Sequence, residues 1–400
     1  MQELLSGIRI IDLTSVFAGP YCTMTLADLG AEVITVEPAY GAPMRNVGSP
    51  AKTAGMGPVH MTIGRGKRSV ALDLEIEADR VVLRELLKTA DVFIHNISAN
   101  DFERLGFSDE QIRRLKPDII HVSVTGYGSD GPYAGIHPHE DASQALTGMT
   151  TLLSRTDGDP APRYLPATVP DKVSGLHAVY ATLAALLHKE RTGAGLSVEV
   201  PNFEAATSFA MVEHLWGQVF VPPVGGAGFP RKFQAARHPF PTADGHMSFV
   251  PYTHAAWTQF FELGGRPEVL QDERFSDFRK LMANVDDLYA IVAQITPSRT
   301  TAEWQRLMRS ADSRPTGNAG GEAVGINIMP VNDLADVIHD PHLVATGFFR
   351  EREHPTEGRY REMAPPVRFA GLAEHDPRPP PRIGEHNSEV LAELGLGRGA

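Results

Sequence analysis

Over the first two hundred positions the apolar residues keep two alternating rhythms. Short runs rich in β-branched residues, at Ile8 to Leu13, Ala31 to Val36, Ser69 to Leu74, Val92 to His95, Ile119 to Val124 and Leu196 to Val200, have the length and content of strands. Between them Leu, Val and Ala return every three or four residues: Tyr21 to Leu29, closed by Gly30, then Ala78 to Lys88 and Asp109 to Leu115. The longest such series is Val173, Leu176, Val179, Tyr180, Leu183, Leu186 and Leu187. Strand and helix alternating through short turns predict an α/β fold. The expected core is a Rossmann-like large domain with a mostly parallel sheet, whose ligands sit at the carboxyl ends of the strands. The turn after the first strand reads TSVFAGP and lacks the GxGxxG fingerprint, so a nicotinamide cofactor has little support.

Beyond residue 200 the rhythm changes. A helix is predicted over Phe203 to Val219, and Val221 to Pro241 is then rich in Gly, Pro and basic residues without periodicity, as in a linker or ligand loop. ADGHMSFV from Ala243 begins like a hairpin, and helical patterns follow at His254 to Leu263, Val285 to Ile295 and Thr301 to Arg309. These predict a smaller α+β domain. Ser313 to Gly325 reads as a flexible loop, and the tail from Asn332, with its Pro-rich stretch Pro377 to Pro381, is long enough to wrap back over the first domain. The expected division is a large domain over 1–200 completed by 331–400, a linker over 201–224 and a small domain over 225–330.

Composition narrows the function. A formal charge of -12 gives no overall basic footprint, which argues against nucleic acid as a partner, and the 42% hydrophobic content is that of a soluble globular chain. Cys22 is the single cysteine, so an internal disulfide framework and a cysteine-based zinc site are excluded. The first residues carry no leader pattern and no window is long and apolar enough to span a bilayer, so a cytoplasmic, small-molecule protein without membrane partners is expected. The basic cluster Arg65, Lys67 and Arg68 reads as a solvated face. Asp171 stands out because it follows Pro170 and opens the longest helical series. It can be an N-cap or a nucleophile; the two are compatible, since helix N–H groups favour the ionised carboxylate that either role uses.

Several segments carry a resemblance in their order and spacing: LSGIRIIDLTSVFAGP with LADLGAEVITVEP, GKRSVALDL, ADVFIHN with ERLGF, KPDIIHVSVTGYGSDGP, the Asp171 stretch, TADG at Thr242 to Gly245, and MPVNDLADVIHDPHL. Together they cover nearly the whole chain. They resemble the class III coenzyme A transferases of the CaiB/BaiF type, which include formyl-CoA transferase, carnitine CoA-transferase and the 2-methylacyl-CoA racemases. The resemblance implies an acyl-CoA:carboxylate CoA-transferase working through an Asp171 mixed anhydride and an aspartyl-CoA thioester, with Glu140 beside it. It implies no tightly bound cofactor and no metal, coenzyme A and acyl-CoA as substrates, a carboxylic acid acceptor, and an interlocked homodimer.

Carried over by position, the CoA site comprises Phe17, Ala18, Leu72, Asp73, Leu74, Asn96, Arg104 and His139, with Gly225, Gly226 and Gly228 as the glycine loop over the intermediate. The chain departs from the family pattern at Glu75, where lysine is usual, at Ile97 to Asn100 and at Pro38. Arg45, Lys67, Arg68 or Arg104 are then expected to meet the anionic end of CoA. Phe17 stands where formyl-CoA transferase has glutamine, implying a bulkier or less polar acid, and Arg231, Lys232 and Arg237 are candidates for a second substrate carboxylate. Two alternatives stay open: a racemase or epimerase using His139 and Asp171 as its two bases, and a CoA-binding protein without turnover.

Overall fold

The structure, a computed structural model, describes residues 4–48, 51–136, 139–251, 253–310, 328–372 and 375–397; the loop expected at Ser313 to Gly325 lies outside them. Six strands, β1 (Arg9–Leu13), β2 (Glu32–Glu37), β3 (Lys67–Ala71), β4 (Val92–His95), β5 (Ile120–Thr125) and β6 (Ser197–Pro201), form one parallel sheet in the order β3-β2-β1-β4-β5-β6. The helices alternating with them are α1 (Ala18–Asp28), α2 (Pro58–Ile63), α3 (Glu77–Thr89), α4 (Ala99–Arg104), α5 (Asp109–Leu115), α6 (Glu140–Leu146), α7 (Val169–Thr192) and α8 (Asn202–His214).

The two-residue period of the strands sends neighbouring side chains to opposite faces. Ile10, Val33, Ile94 and Val122 pack with Cys22 and Leu26 of α1 and with Ala178 and Val179 of α7. Ile11, Ile34 and Phe93 pack on the other face with Leu83, Leu86 and Leu87 of α3. Both faces are covered, which is why the strands read as continuous apolar runs. Chain direction across the sheet reverses between β1 and β4, and such a switch point opens a crevice at the carboxyl ends of the strands.

The basic run is a correction to the sequence reading. Lys67 and Arg68 are the first residues of β3 rather than a solvated face, and Arg65, Lys67 and Arg68 are only 2%, 4% and 5% exposed. Each has an acid waiting. Arg65 bonds Asp28 through Nε and Nη2, Lys67 Nζ lies 3.2 Å from Asp12 Oδ2, and Arg68 reaches Glu32 and Glu393 at 2.7 Å each. Asp12, at the middle of the sheet and fully buried, also accepts from Thr14 N–H and from the hydroxyls of Thr14, Thr23 and Thr35. Interior charge is tolerated when every lone pair is met in this way.

The chain divides into two units: Met1–Thr150 with Arg163–Glu213 and Pro341–Ala400, and Thr151–Pro162 with His214–Asp340. The second unit holds a three-stranded antiparallel sheet, β7 (Phe240–Thr242), β8 (Gly245–Phe249) and β9 (Ile328–Pro330), and helices α9 (His254–Leu263), α10 (Phe278–Ala283), α11 (Val285–Ile295) and α12 (Thr301–Ser310). Its core is aromatic, built from Phe249, Trp257, Phe260, Phe261, Tyr289 and Trp304. In the first unit the C-terminal stretch adds α13 (Pro341–Ala345), the hairpin β10 (Phe349–His354) with β11 (Gly358–Met363), and α14 (Asn387–Glu393). The last of these lies along the free edge of β3. Asn387 Oδ1 accepts from Ala71 N–H at 2.8 Å, His386 N–H bonds the Ser69 carbonyl, and an edge that would otherwise be open is closed.

Candidate active site

A cavity of about 700 Å³ opens at the carboxyl ends of β1, β4, β5 and β6. Its wall includes Ser15, Val16 and Ala18 after β1, Asn96 to Asn100 after β4, Val124 to Tyr127 with Ser129 after β5, and Glu199 with Asn202 at the end of β6. His139, Glu140, Asp141 and Asp171 complete one side. The volume is that of a small-molecule site. Among the described lining residues there is no lysine or arginine.

The β1 loop is held in an unusual shape. Val16 has φ 68°, a left-handed conformation that a β-branched residue adopts at a cost on the order of 1–3 kcal/mol. Asn96 supplies the restraint: its Oδ1 accepts from Ser15 N–H and its Nδ2 donates to the Ser15 carbonyl, both at 2.9 Å. This pair ties the loop after β1 to the loop after β4 across the switch point. His95 secures the second loop, its Nδ1 lying 3.3 Å from Ile97 N and its Nε2 3.0 Å from Ser123 Oγ. Burial lowers the His95 pKa to about 3, as does the neighbouring His121, so the ring is neutral.

Asp171 is the third residue of α7 and does not cap it. The N-cap is Thr168, without a side-chain cap bond. The α7 face that carries Asp171 also carries Gly175 one turn on, and a Cβ there would lie 2.6 Å from the Ala18 carbonyl oxygen. Only glycine lets the first turns of α7 come this close to the start of α1.

Asn202 holds the Asp171 carboxylate, while Glu140, braced by Gln144, holds the backbone N–H of the same residue. Asp171 N–H donates to Glu140 Oε2 at 3.0 Å, and Glu140 Oε1 accepts from Gln144 Nε2 at 2.9 Å. Gln144, itself buried, is anchored on the irregular segment before α7 by Leu165 N–H and by the carbonyls of Leu165 and Ala167. On the other side Asn202 Nδ2 donates to Asp171 Oδ1 at 3.0 Å. The helix N-terminus was expected to favour ionisation, yet the opposite direction prevails. Burial, then the Glu140 charge, push Asp171 up to about 6, while the Asn202 bond pulls the other way.

This arrangement has a kinetic signature. If ionised Asp171 is the reactive form, activity falls as pH drops through about 6. Glu140→Gln removes one of the two raising influences, so the acid limb of the kcat/KM profile is expected to move to lower pH. A limb that stays in place would mean that the Glu140 charge does not reach Asp171.

Of the site residues taken from sequence, Ala18, Asn96, His139, Glu140 and Asp171 lie on this cavity wall. Phe17 is the N-cap of α1, and Leu72, Asp73 and Leu74 follow β3 away from the wall. Gly225, Gly226 and Gly228 belong to the second unit. The expected cations are redistributed. Arg45 is buried on Glu37, with Nε 2.5 Å from Oε2, and Lys67 and Arg68 are paired as described, so none of the three is available to a ligand. Arg104 stays at the surface and forks onto Glu75 at 2.9 and 2.8 Å. Sequence reading missed Asn202, Gln144 and Ser15. Asn202 stands at the β6–α8 junction, and its partner lies 31 residues away, so no local pattern marks it.

A family model described as CoA-transferase family III matches residues 5–387. The chain belongs to that family. It is a class III CoA-transferase by fold as well as by sequence: a CAIB/BAIF family protein from Brucella suis superposes with a TM-score of 0.83 at 25% identity, over 98% of this chain and 100% of that one. The transferase is 29% identical to human succinyl-CoA:glutarate CoA-transferase over 395 residues, 98% of this chain and 86% of the relative. It is 30% identical to the probable fatty acyl-CoA transferase Rv3272 of Mycobacterium tuberculosis over 409 residues, 97% of each. Among the described residues no group of three or more His, Cys, Asp or Glu side chains could hold a metal ion, and no helix is long and apolar enough to cross a membrane.

Proposed function

We propose that this transferase moves CoA between carboxylic acids with Asp171 as the acyl carrier. The observation that carries the reading is the Asp171 carboxylate in the wall of the 700 Å³ cavity, held by Asn202, with the Asp171 backbone N–H on Glu140, at the carboxyl ends of the sheet. A carboxylate so placed can attack a thioester carbonyl. The Asp171–acyl bond forms, the C–S bond breaks, and CoA leaves as the thiolate. The thiolate next attacks the aspartyl carbon of the anhydride and expels the donor acid, leaving an aspartyl-CoA thioester. An acceptor carboxylate displaces the thiolate from that carbon, and the thiolate then takes the new acyl group and frees Asp171. Each step takes in one anion and releases one, so no net proton transfer or redox partner is needed.

The cavity's described lining contributes no cation, and Arg104, expected from the family resemblance to meet the anionic end of CoA, has first to leave Glu75, an exposed partner that solvent screens. The names of relatives set the substrate panel: succinyl-CoA with glutarate, formyl-CoA with oxalate, and acetyl-CoA with acetate as a neutral reference. The test is mass spectrometry of protein quenched during turnover with this panel. Adducts are expected on the peptide containing Asp171, and a heavy-oxygen-labelled acceptor is expected to leave label in that carboxylate, because the acceptor's oxygen becomes the bridge that Asp171 retains. Absence of both adduct and label sinks the reading. His139 shares the cavity wall with Asp171, so α-proton exchange in deuterated water without an acceptor is the contrary result, which would favour the two-base racemase.

A further inference from the structure

We propose that the Asn202 side-chain amide is the oxyanion donor for the two steps in which the Asp171 carbon is itself attacked. This rests on Asp171 as acyl carrier. Asn202 is the first residue of α8 and is 4% exposed, yet it lines the cavity. Its Nδ2 lies 3.0 Å from Asp171 Oδ1 and 3.1 Å from Ser174 Oγ. The amide orientation follows from its partners. The Ser174 hydroxyl has one proton, directed to the carbonyls of Pro170 and Asp171, each at 3.0 Å, so its oxygen can only accept from Asn202. An ionised carboxylate also only accepts. Both therefore need the NH2 end of Asn202, and the amide is locked with one N–H on Asp171 Oδ1.

Its other end tells against a packing role. Asn202 Oδ1 is buried without a hydrogen-bond partner among the described residues, a cost that an apolar side chain would not carry.

In the cycle Asp171 attacks with the oxygen that Asn202 does not hold, and Oδ1 stays as the carbonyl oxygen of the anhydride. When the thiolate sulfur adds to the aspartyl carbon, the C=O electron pair moves onto Oδ1; collapse then breaks the bond to the bridging oxygen and the donor acid leaves as carboxylate. The acceptor carboxylate adds to the same carbon, charge returns to Oδ1, and collapse expels the thiolate. The donor N–H already stands at the distance an oxyanion hole requires. The first and last steps instead put charge on the substrate's acyl oxygen, an atom outside the Asp171 carboxyl that Asn202 Nδ2 holds.

That asymmetry is the test. Asn202→Ala and the near-isosteric Asn202→Leu, neither of which has a donor, are mixed with the fastest acyl-CoA of the acetyl-, succinyl- and formyl-CoA panel, without acceptor and well above the Asp171 titration. Free thiol reports the first step, and release of radiolabelled donor acid reports the second. Thiol release is expected to lose only the positioning that the Asn202–Asp171 bond gives the nucleophile, no more than about tenfold. Acid release is expected to fall by about 10²–10³-fold, with the anhydride accumulating on the Asp171 peptide. Equal slowing of both steps in a variant that still binds CoA, or no slowing of the second, overturns the assignment to Asn202. Wild-type protein showing neither adduct would overturn the acyl-carrier reading instead.

Discussion

Asp171→Asn is expected to lower transfer by about 10⁴-fold or more, the scale of losing a covalent nucleophile. The substitution keeps the shape, and an asparagine oxygen can still accept from Asn202, so the cavity and CoA binding are expected to survive. Stability is expected to move the other way. The native pKa of about 6 lies above the ordinary 3.8, so the folded state binds the proton more tightly and loses stability as pH rises between those values. Above pH 6 the ionised side chain therefore strains the fold by about 3 kcal/mol, which a neutral amide relieves. Turnover on the substrate panel, titration calorimetry with CoA and a thermal melt at neutral pH check the three parts, with the peptide mass verified against deamidation. Retention of more than about a hundredth of wild-type turnover would remove Asp171 from the chemistry.

The second large effect is on folding. Asp12→Ala leaves the Lys67 ammonium in the interior with only the Thr23 hydroxyl and the Pro20 carbonyl, and removes the acceptor from three threonine hydroxyls. Removing one member of a buried pair costs about 3–5 kcal/mol, because the other charge is left uncompensated. Urea unfolding followed by circular dichroism is expected to show a lower midpoint. Adding Lys67→Met is expected to recover part of the loss, since the stranded charge is then gone. An unchanged midpoint in the single variant would mean that water reaches Lys67 and that the interior is less dry than its 4% exposure implies.

Much of the sheet was readable because local signals agreed. β4, α5, α9 and α11 fall on the predicted bounds, and α5 carries a full capping box between Ser108 and Gln111. That the strands run parallel follows from the strand and helix rhythm, while their order across the sheet does not. β3 was read two residues late because Lys67 and Arg68 look like surface, and the acids that make them interior residues lie as far off as Glu393. Asp171 could be found from its helix, but its titration could not. Burial and Glu140 outweigh the helix N-terminus, and neither is visible in the residues next to it. Asn202 was passed over by a single position, since the helix was taken to start at Phe203 and a junction asparagine looks like any turn residue.

The docking of α14 along β3 also fixes an order of events during synthesis. The nascent chain presents residues 67–71 early, but the groups that close that strand, His386, Asn387 and Glu393, are made more than three hundred residues later. Until they are made the parallel sheet stands with one flank unsealed and Arg68 with Glu32 but without Glu393, because these contacts span more than three hundred residues. In that interval the backbone groups of β3 that later meet His386 and Asn387 are open to pairing with another strand.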